Sequence, residues 1–142
     1  MLVIRADLVE AIVAHARRDH PEEACGVLAG ADGSDRPERH IPMLNAERSA
    51  TFYRFDSAEQ LKVWRAMERA DEVPIVIYHS HPSSEAYPSR TDIDLAAEPD
   101  AHYVLVSTRD PHRDELRSYR IVNGVVSEEP VDIVEEYIVE QY

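Results

Sequence analysis

The sequence predicts one mixed α/β (α+β) domain, a central sheet with helices packed against it, spanning residues 1–142. Three observations carry that reading. Apolar runs of strand length, above all Pro74-Ile-Val-Ile-Tyr78 and Tyr103-Val-Leu-Val-Ser107, alternate with segments whose apolar residues recur at helical spacing. The 142 residues suffice to bury one core and are too few to divide comfortably into two. No repeat, linker or low-complexity block interrupts them.

The elements follow in chain order. Leu2 to Ile4 reads as a short strand. Asp7 with Glu10 has the form of a capping box, predicting a helix that turns Leu8, Ile12, Val13 and Ala16 toward the sheet and ends near His20-Pro21. Ala24 to Ala29 is a small, apolar run suited to a buried strand, closed by a turn at Gly30-Ala-Asp-Gly33. Strands are expected around His40 to Leu44 and over Thr51 to Phe55. Asp56 with Glu59 repeats the capping pattern, and Leu61, Trp64, Met67 and Ala70 supply the apolar side of a second helix that ends by Asp71 to Pro74. Pro74 to Tyr78 is apolar at every position, the mark of a strand covered on both faces. A short third helix runs from Ser89 or Arg90 to Ala97. Beyond the strand at Tyr103, Asn123-Gly124 between Leu116–Val122 and Val125–Val126 is a strong hairpin signal.

Composition excludes several functions. The formal charge of -13, from 28 acidic and 15 basic side chains, would repel a phosphate backbone, so neither nucleic acid nor an anionic membrane is expected as a partner. The acidic stretch from Glu128 to Glu140 reads as a solvated face. With one cysteine, Cys25, no internal disulfide and no multi-thiolate metal site can form in one chain, and its apolar setting predicts a buried structural thiol. The apolar start is too short for a signal peptide and no stretch approaches the roughly 20 residues of a membrane span, so the expected location is cytoplasmic. A homo-oligomer stays open.

Chemistry concentrates in His79-Ser-His-Pro-Ser-Ser-Glu-Ala-Tyr-Pro-Ser-Arg-Thr-Asp92, which opens where the most strand-like run ends and closes where a helix begins. In extended backbone His79 and His81 point to one side and Ser80 to the other. Ser89 and Asp92, three apart on a helix, share a face. Two imidazoles and one carboxylate bind zinc and leave a fourth tetrahedral position open, as catalytic sites do. Such a site also needs a carboxylate to move the proton of water. Glu22, Glu23, Glu85, Asp94 and Glu98 are candidates, and Asp94 is disfavoured as a co-ligand because it points to another face than Asp92.

The spacing His79-x-His81, seven residues, Ser89, two residues, Asp92 resembles the signature of the JAMM metalloproteases, or MPN-plus domains. Glu23-Ala-Cys-Gly-Val-Leu-Ala-Gly30 resembles their upstream motif, and Pro82 matches the residue that usually follows the second histidine. The resemblance extends over nearly the whole chain. It implies a cytidine-deaminase-like architecture, zinc on His79, His81 and Asp92, Glu23 as general base and Ser89 as a stabiliser of the oxyanion. Compact length, Glu85 to Asp92, and Asp100 to His112 resemble most the small bacterial branch that acts on a ubiquitin-like sulfur-carrier protein, freeing cysteine from the carrier's C-terminal Gly-Gly in cysteine biosynthesis. The alternatives are a peptidase for another ubiquitin-like conjugate or precursor and a non-catalytic scaffold, the latter disfavoured by the complete ligand set. A nucleoside deaminase would need a P-C-x-x-C element, which one cysteine cannot supply.

The remaining histidines, His15, His20, His40, His102 and His112, have no ligand spacing and are expected at the surface or in local hydrogen bonds. Tyr53, Phe55 and Trp64 are expected in the core. Glu85 and Arg90 lie within the motif loop and are candidates for contact with substrate.

Overall fold

In the computed structural model, which describes residues 1–138, β4 (Glu72–His81) is the spine of the molecule. It sits inside a six-stranded sheet of order β3-β2-β4-β5-β6-β7, built from β2 (Cys25–Ala31), β3 (Arg39–Met43), β5 (His102–Ser107), β6 (Glu115–Val122) and β7 (Val125–Glu129). Only the β4–β5 pair is parallel; the other neighbours run antiparallel. A separate parallel pair joins β1 (Leu2–Arg5) to β8 (Val131–Val134).

Alternation along β4 divides the core. Val76 and Tyr78 pack with Leu2, Ile4, Leu8, Ile12 and Ala16, beneath α1 (Ala6–Asp19) and β1. Ile77 faces the opposite side, among Tyr103, Leu105, Tyr119 and Ile121. On that same side Cys25, Val27 and Met43 pack under Met67 of α2 (Ser57–Arg69). Because residues two apart share a face, His79 and His81 continue the row begun by Ile77, and the third helix, α3 (Arg90–Leu95), lies over them.

Several expectations change. Asp7 does not cap α1: Arg5 holds the N-cap position with no side-chain bond, and Asp7 in the first turn pairs with the Arg5 guanidinium at 3.0 Å. Thr51 to Phe55 is no strand. One bridge, Asn45 to Phe55, is all the ladder it makes, because the Asn45 side chain takes over, donating to the carbonyls of Phe52 and Glu23 and accepting from the amides of Glu47 and Arg54. Asp56 caps α2 as expected, but Glu59 reaches to the amide of Leu44 instead of closing the box.

The inward face of α2 is Val63, Trp64 and Met67, with Leu61 and Ala70 exposed. Successive steps of three residues lag a 3.6-residue turn and walk off one face. β4 begins at Glu72, two residues before Pro74, and Pro74 is tolerated where the β2 ladder shifts register between Leu28 and Ala29. The hairpin at Asn123-Gly124 is as expected, both residues at positive φ, 51° and 76°. The acidic C-terminal stretch hides a strand, β8, and a buried carboxylate, Glu129; Val139 and Glu140 lie outside the described residues. No described helix is long and apolar enough to cross a membrane.

Candidate active site

Ser80 explains how the two halves of the site meet. Its side chain points away from the histidines, as the alternation requires, and its hydroxyl accepts from the amide of Ala24 at 2.8 Å. Its own amide donates to the Ala24 carbonyl at 3.0 Å. Cys25 pairs with His79 in the β2–β4 register. Glu23, just ahead of β2, is thereby brought beside the histidines from a position 56 residues earlier than His79.

Three atoms converge at the end of β4. Nε2 of His79 and Nε2 of His81 are 3.2 Å apart, and Oδ2 of Asp92 lies 3.1 Å from the first and 3.2 Å from the second. Bonds of about 2.0–2.1 Å to one tetrahedral ion would set its ligands roughly 3.3–3.4 Å apart, so the triangle has the dimensions of a tetrahedron's face. The chemistry agrees. Nδ1 of His81 points at the carbonyl oxygen of Glu85 at 2.9 Å and must donate to it, which leaves the Nε2 lone pair of the neutral ring aimed at a carboxylate. Atoms so placed suit a positive charge among them.

Titration behaviour reflects the same demand. Burial works against the Asp92 carboxylate, yet the close approach of His79 and His81 holds its pKa well below the usual range. Burial opposes charge on both imidazoles: it prevails at His79, whose pKa falls, whereas Asp92 and the Glu85 carbonyl raise that of His81.

Asp92 is aimed by a capping box. Ser89, the N-cap of α3, accepts from the Asp92 amide, and Asp92 accepts from the Ser89 amide. Because the Ser89 hydroxyl uses a lone pair in that bond, its own proton remains available. The ring of His79 stacks on Tyr53, centroids 4.3 Å apart. His81 has the outer hydrogen bond usual for a ligating imidazole; Nδ1 of His79 is buried with no partner among the described residues.

Glu23 lies beside the triangle rather than in it. One of its oxygens and a nitrogen from each histidine fall within 4.8 Å of one another, a His, His, Glu cluster that fits a metal site. Asp92, at 3.1 and 3.2 Å, makes the tighter set. Glu23 is 4% exposed, and its Oε1 has no hydrogen-bond partner among the described residues. Burial, reinforced by Asp92 and offset in part by His81, pushes its pKa up to about 7. Glu22 is exposed, Asp94 faces Arg90 at the surface, and Glu98 lines a cavity farther along.

That cavity, about 250 Å³, has Asp92 on its wall and is otherwise mostly apolar, with Tyr53, Phe55, Trp64, Ile77, Leu95 and Tyr103 around it. The aromatic residues expected in the core are thus half-buried walls of a cleft. Neither this nor the role of Ser80 has a local signature, since both depend on contacts across the sheet; the one clue to Ser80 is its outward phase between two histidines.

Fold and site together define a class: α/β domains with a fitted metal position at the end of the central strand and, beside it, a buried carboxyl whose Oε1 has no partner among the described residues. The chain belongs to the family described as prokaryotic homologs of the JAB domain, whose model matches residues 5–122. It is 82% identical over 137 residues to a protein of Mycobacterium tuberculosis named CysO-cysteine peptidase, covering 96% of this chain and 94% of that one. A Haloferax volcanii protein named desampylase is 35% identical over 111 residues, 75% and 80% of the two chains. A solution structure of a Desulfitobacterium hafniense protein superposes with a TM-score of 0.83 at 33% identity, covering 96% of this chain and 94% of the other.

Proposed function

We propose that this protein is a zinc peptidase that releases cysteine from the C-terminal Gly-Gly of a ubiquitin-like sulfur-carrier protein, in the cytoplasm and in the service of cysteine biosynthesis. The observation that carries the reading is the His79, His81, Asp92 triangle with the buried Glu23 carboxyl at its side. Its substrate is supported by the 82% identity to the protein named CysO-cysteine peptidase. The single, buried Cys25 suits a reducing compartment.

His79, His81 and Asp92 would hold the ion, which when bound supplies Lewis acidity for activating water and polarising the scissile carbonyl. Glu23 takes a proton from the attacking water as the water oxygen bonds to the carbonyl carbon. Its pKa of about 7 fits both halves of the task, accepting that proton and returning it to the departing nitrogen as the C–N bond breaks. The Ser89 hydroxyl proton, not used in the cap, donates to the oxyanion. The apolar cleft beside Asp92 receives the tail that precedes the scissile bond.

A second reading, cleavage of another ubiquitin-like conjugate, is favoured by the likeness to a desampylase and, at 38% identity over 97 residues, to a Thermus thermophilus protein named probable TtuB-protein conjugate cleaving protease. Mass spectrometry of a carrier bearing a C-terminal cysteine, incubated with the protein with and without chelator, separates the two. Chelator-sensitive loss of one cysteine is expected. An intact adduct beside a cleaved lysine conjugate would select the second reading.

A further inference from the structure

A second cavity, about 130 Å³, lies near the same end of the sheet, walled by Ser107, Arg109, Asp110, Arg113 and Glu115. Its position relative to the triangle follows from register. Ser107 pairs with His81 and Glu115 with Ser107, so the three stand in one row on one face, about 4.8 Å per strand apart. The apolar cleft lies at the row of Ile77 and Tyr103, four residues earlier along the strands. The two cavities therefore flank the triangle, one apolar and one charged. The loop that follows His81 packs along this row: Ser107 Oγ donates to the Ser84 carbonyl at 2.6 Å and Glu115 accepts from the Ala86 amide at 3.2 Å.

In a chain with 13 more acids than bases, this cavity sets two arginines against two carboxylates and leaves one of the arginines outside any ion pair among the described residues. Asp110 is engaged by the amide of His112 at 2.9 Å. Glu115 is shared among Ala86, Arg109 at 3.4 Å and Arg117 at 4.0 Å. Arg113 has no carboxylate partner among the described residues, and its loop is pinned to α1 by Arg17, which donates to the carbonyls of Thr108 and Arg113 and pairs with Asp114 at 3.0 Å. A volume near that of four waters in the liquid suits one small amino acid and not a folded partner.

We propose that this cavity seats the free α-carboxylate of the amino acid released, on Arg113 with Arg109 as the second cation, and so restricts the enzyme to a single residue beyond the scissile bond. The inference rests on the hydrolase reading above and adds to it the basis for choosing a terminal residue. A guanidinium opposite a carboxylate makes charge-assisted hydrogen bonds that an amide cannot replace.

The test compares two carriers, one ending in Gly-Gly-Cys with a free carboxylate and one in the corresponding carboxamide, with kcat and KM measured on zinc-loaded protein. Wild type should favour the carboxylate in kcat/KM by about ten-fold or more, chiefly through KM. In Arg113→Ala, and further in Arg109→Ala/Arg113→Ala, the ratio should fall toward one with zinc content unchanged, and Arg113→Lys should keep part of it. Equal rates for both carriers in wild type, or an unchanged ratio in the double variant, would overturn the assignment. Cleavage of neither carrier by wild type would instead overturn the hydrolase reading and this role with it.

Discussion

The amide of Ser89 donates to Oδ2 of Asp92 at 2.8 Å, and that same oxygen faces both histidine nitrogens. A helix cap thus fixes the one carboxylate that completes the triangle. Asp92→Ala is expected to lose zinc and activity together. Ser89→Ala should keep zinc, because the amide bond to Asp92 does not use the side chain, and lose about 100-fold in kcat as the oxyanion donor disappears. Metal analysis beside kinetics separates the two. Equal loss of zinc in both variants would reduce Ser89 to its capping role.

Glu23 costs stability to keep its carboxyl buried, with Oε1 unpaired among the described residues. Its folded pKa, about 7, stands above the unfolded value near 4.5. Between those values the folded state binds the extra proton, so this group's contribution becomes less favourable as pH rises through the interval. Chelator-treated Glu23→Gln should therefore be more stable than treated wild type at pH 8, by about 1–3 kcal/mol, and the gap should close toward pH 4.5. Urea melts at the two pH values check it; a gap that widens on acidification contradicts the burial argument.

Glu129 predicts the reverse. Burial opposes its charge, but hydrogen bonds from His102 and Ser118, at 2.6 and 2.7 Å, with the Met1 amino group 3.2 Å away, bring its pKa down to about 2. The stabilisation is complete above the unfolded value near 4.5 and is lost as pH falls through 2. Glu129→Gln should lower the urea midpoint at pH 6 and approach wild type below pH 2. It ties β7 to the start of β5 and to the chain's first residue, so the variant should leave kcat nearly unchanged.

Gly26 is pressed against the Tyr78 ring, whose hydroxyl bridges His15 and His40 at 2.6 and 2.7 Å. A Cβ there would drive into that ring on the face opposite His79. Gly26→Ala should destabilise by about 1–3 kcal/mol through overpacking, read as a lower thermal midpoint. An unchanged midpoint would mean that the Tyr78 bridge yields readily.

Legibility followed the range of the interactions involved. β4 and β5 announce themselves because strands buried on both faces carry unbroken apolar runs, here Val73 to Tyr78 and Tyr103 to Val106, and Asn123-Gly124 because its turn demands positive φ. β8 was hidden because Val131-Asp-Ile-Val134 sits among acids and is defined only by its partner β1. Thr51 to Phe55 has strand composition but is organised by the side chain of Asn45, outside the segment itself. In the site, His79, His81, Ser89 and Asp92 lie within 14 residues and their spacing encodes their convergence. The Tyr53 stack, the Ser80 bond to Ala24 and the Arg113 cavity all arise across strands, where a local pattern has no purchase.

The division of labour at the site is tested most directly by Glu23→Gln, assayed for zinc per chain and for single-turnover cleavage of the cysteine adduct. The account predicts one zinc per chain, as in wild type, with turnover reduced by at least about 100-fold. Zinc lost along with activity would make Glu23 a ligand, and full turnover would remove it from the mechanism.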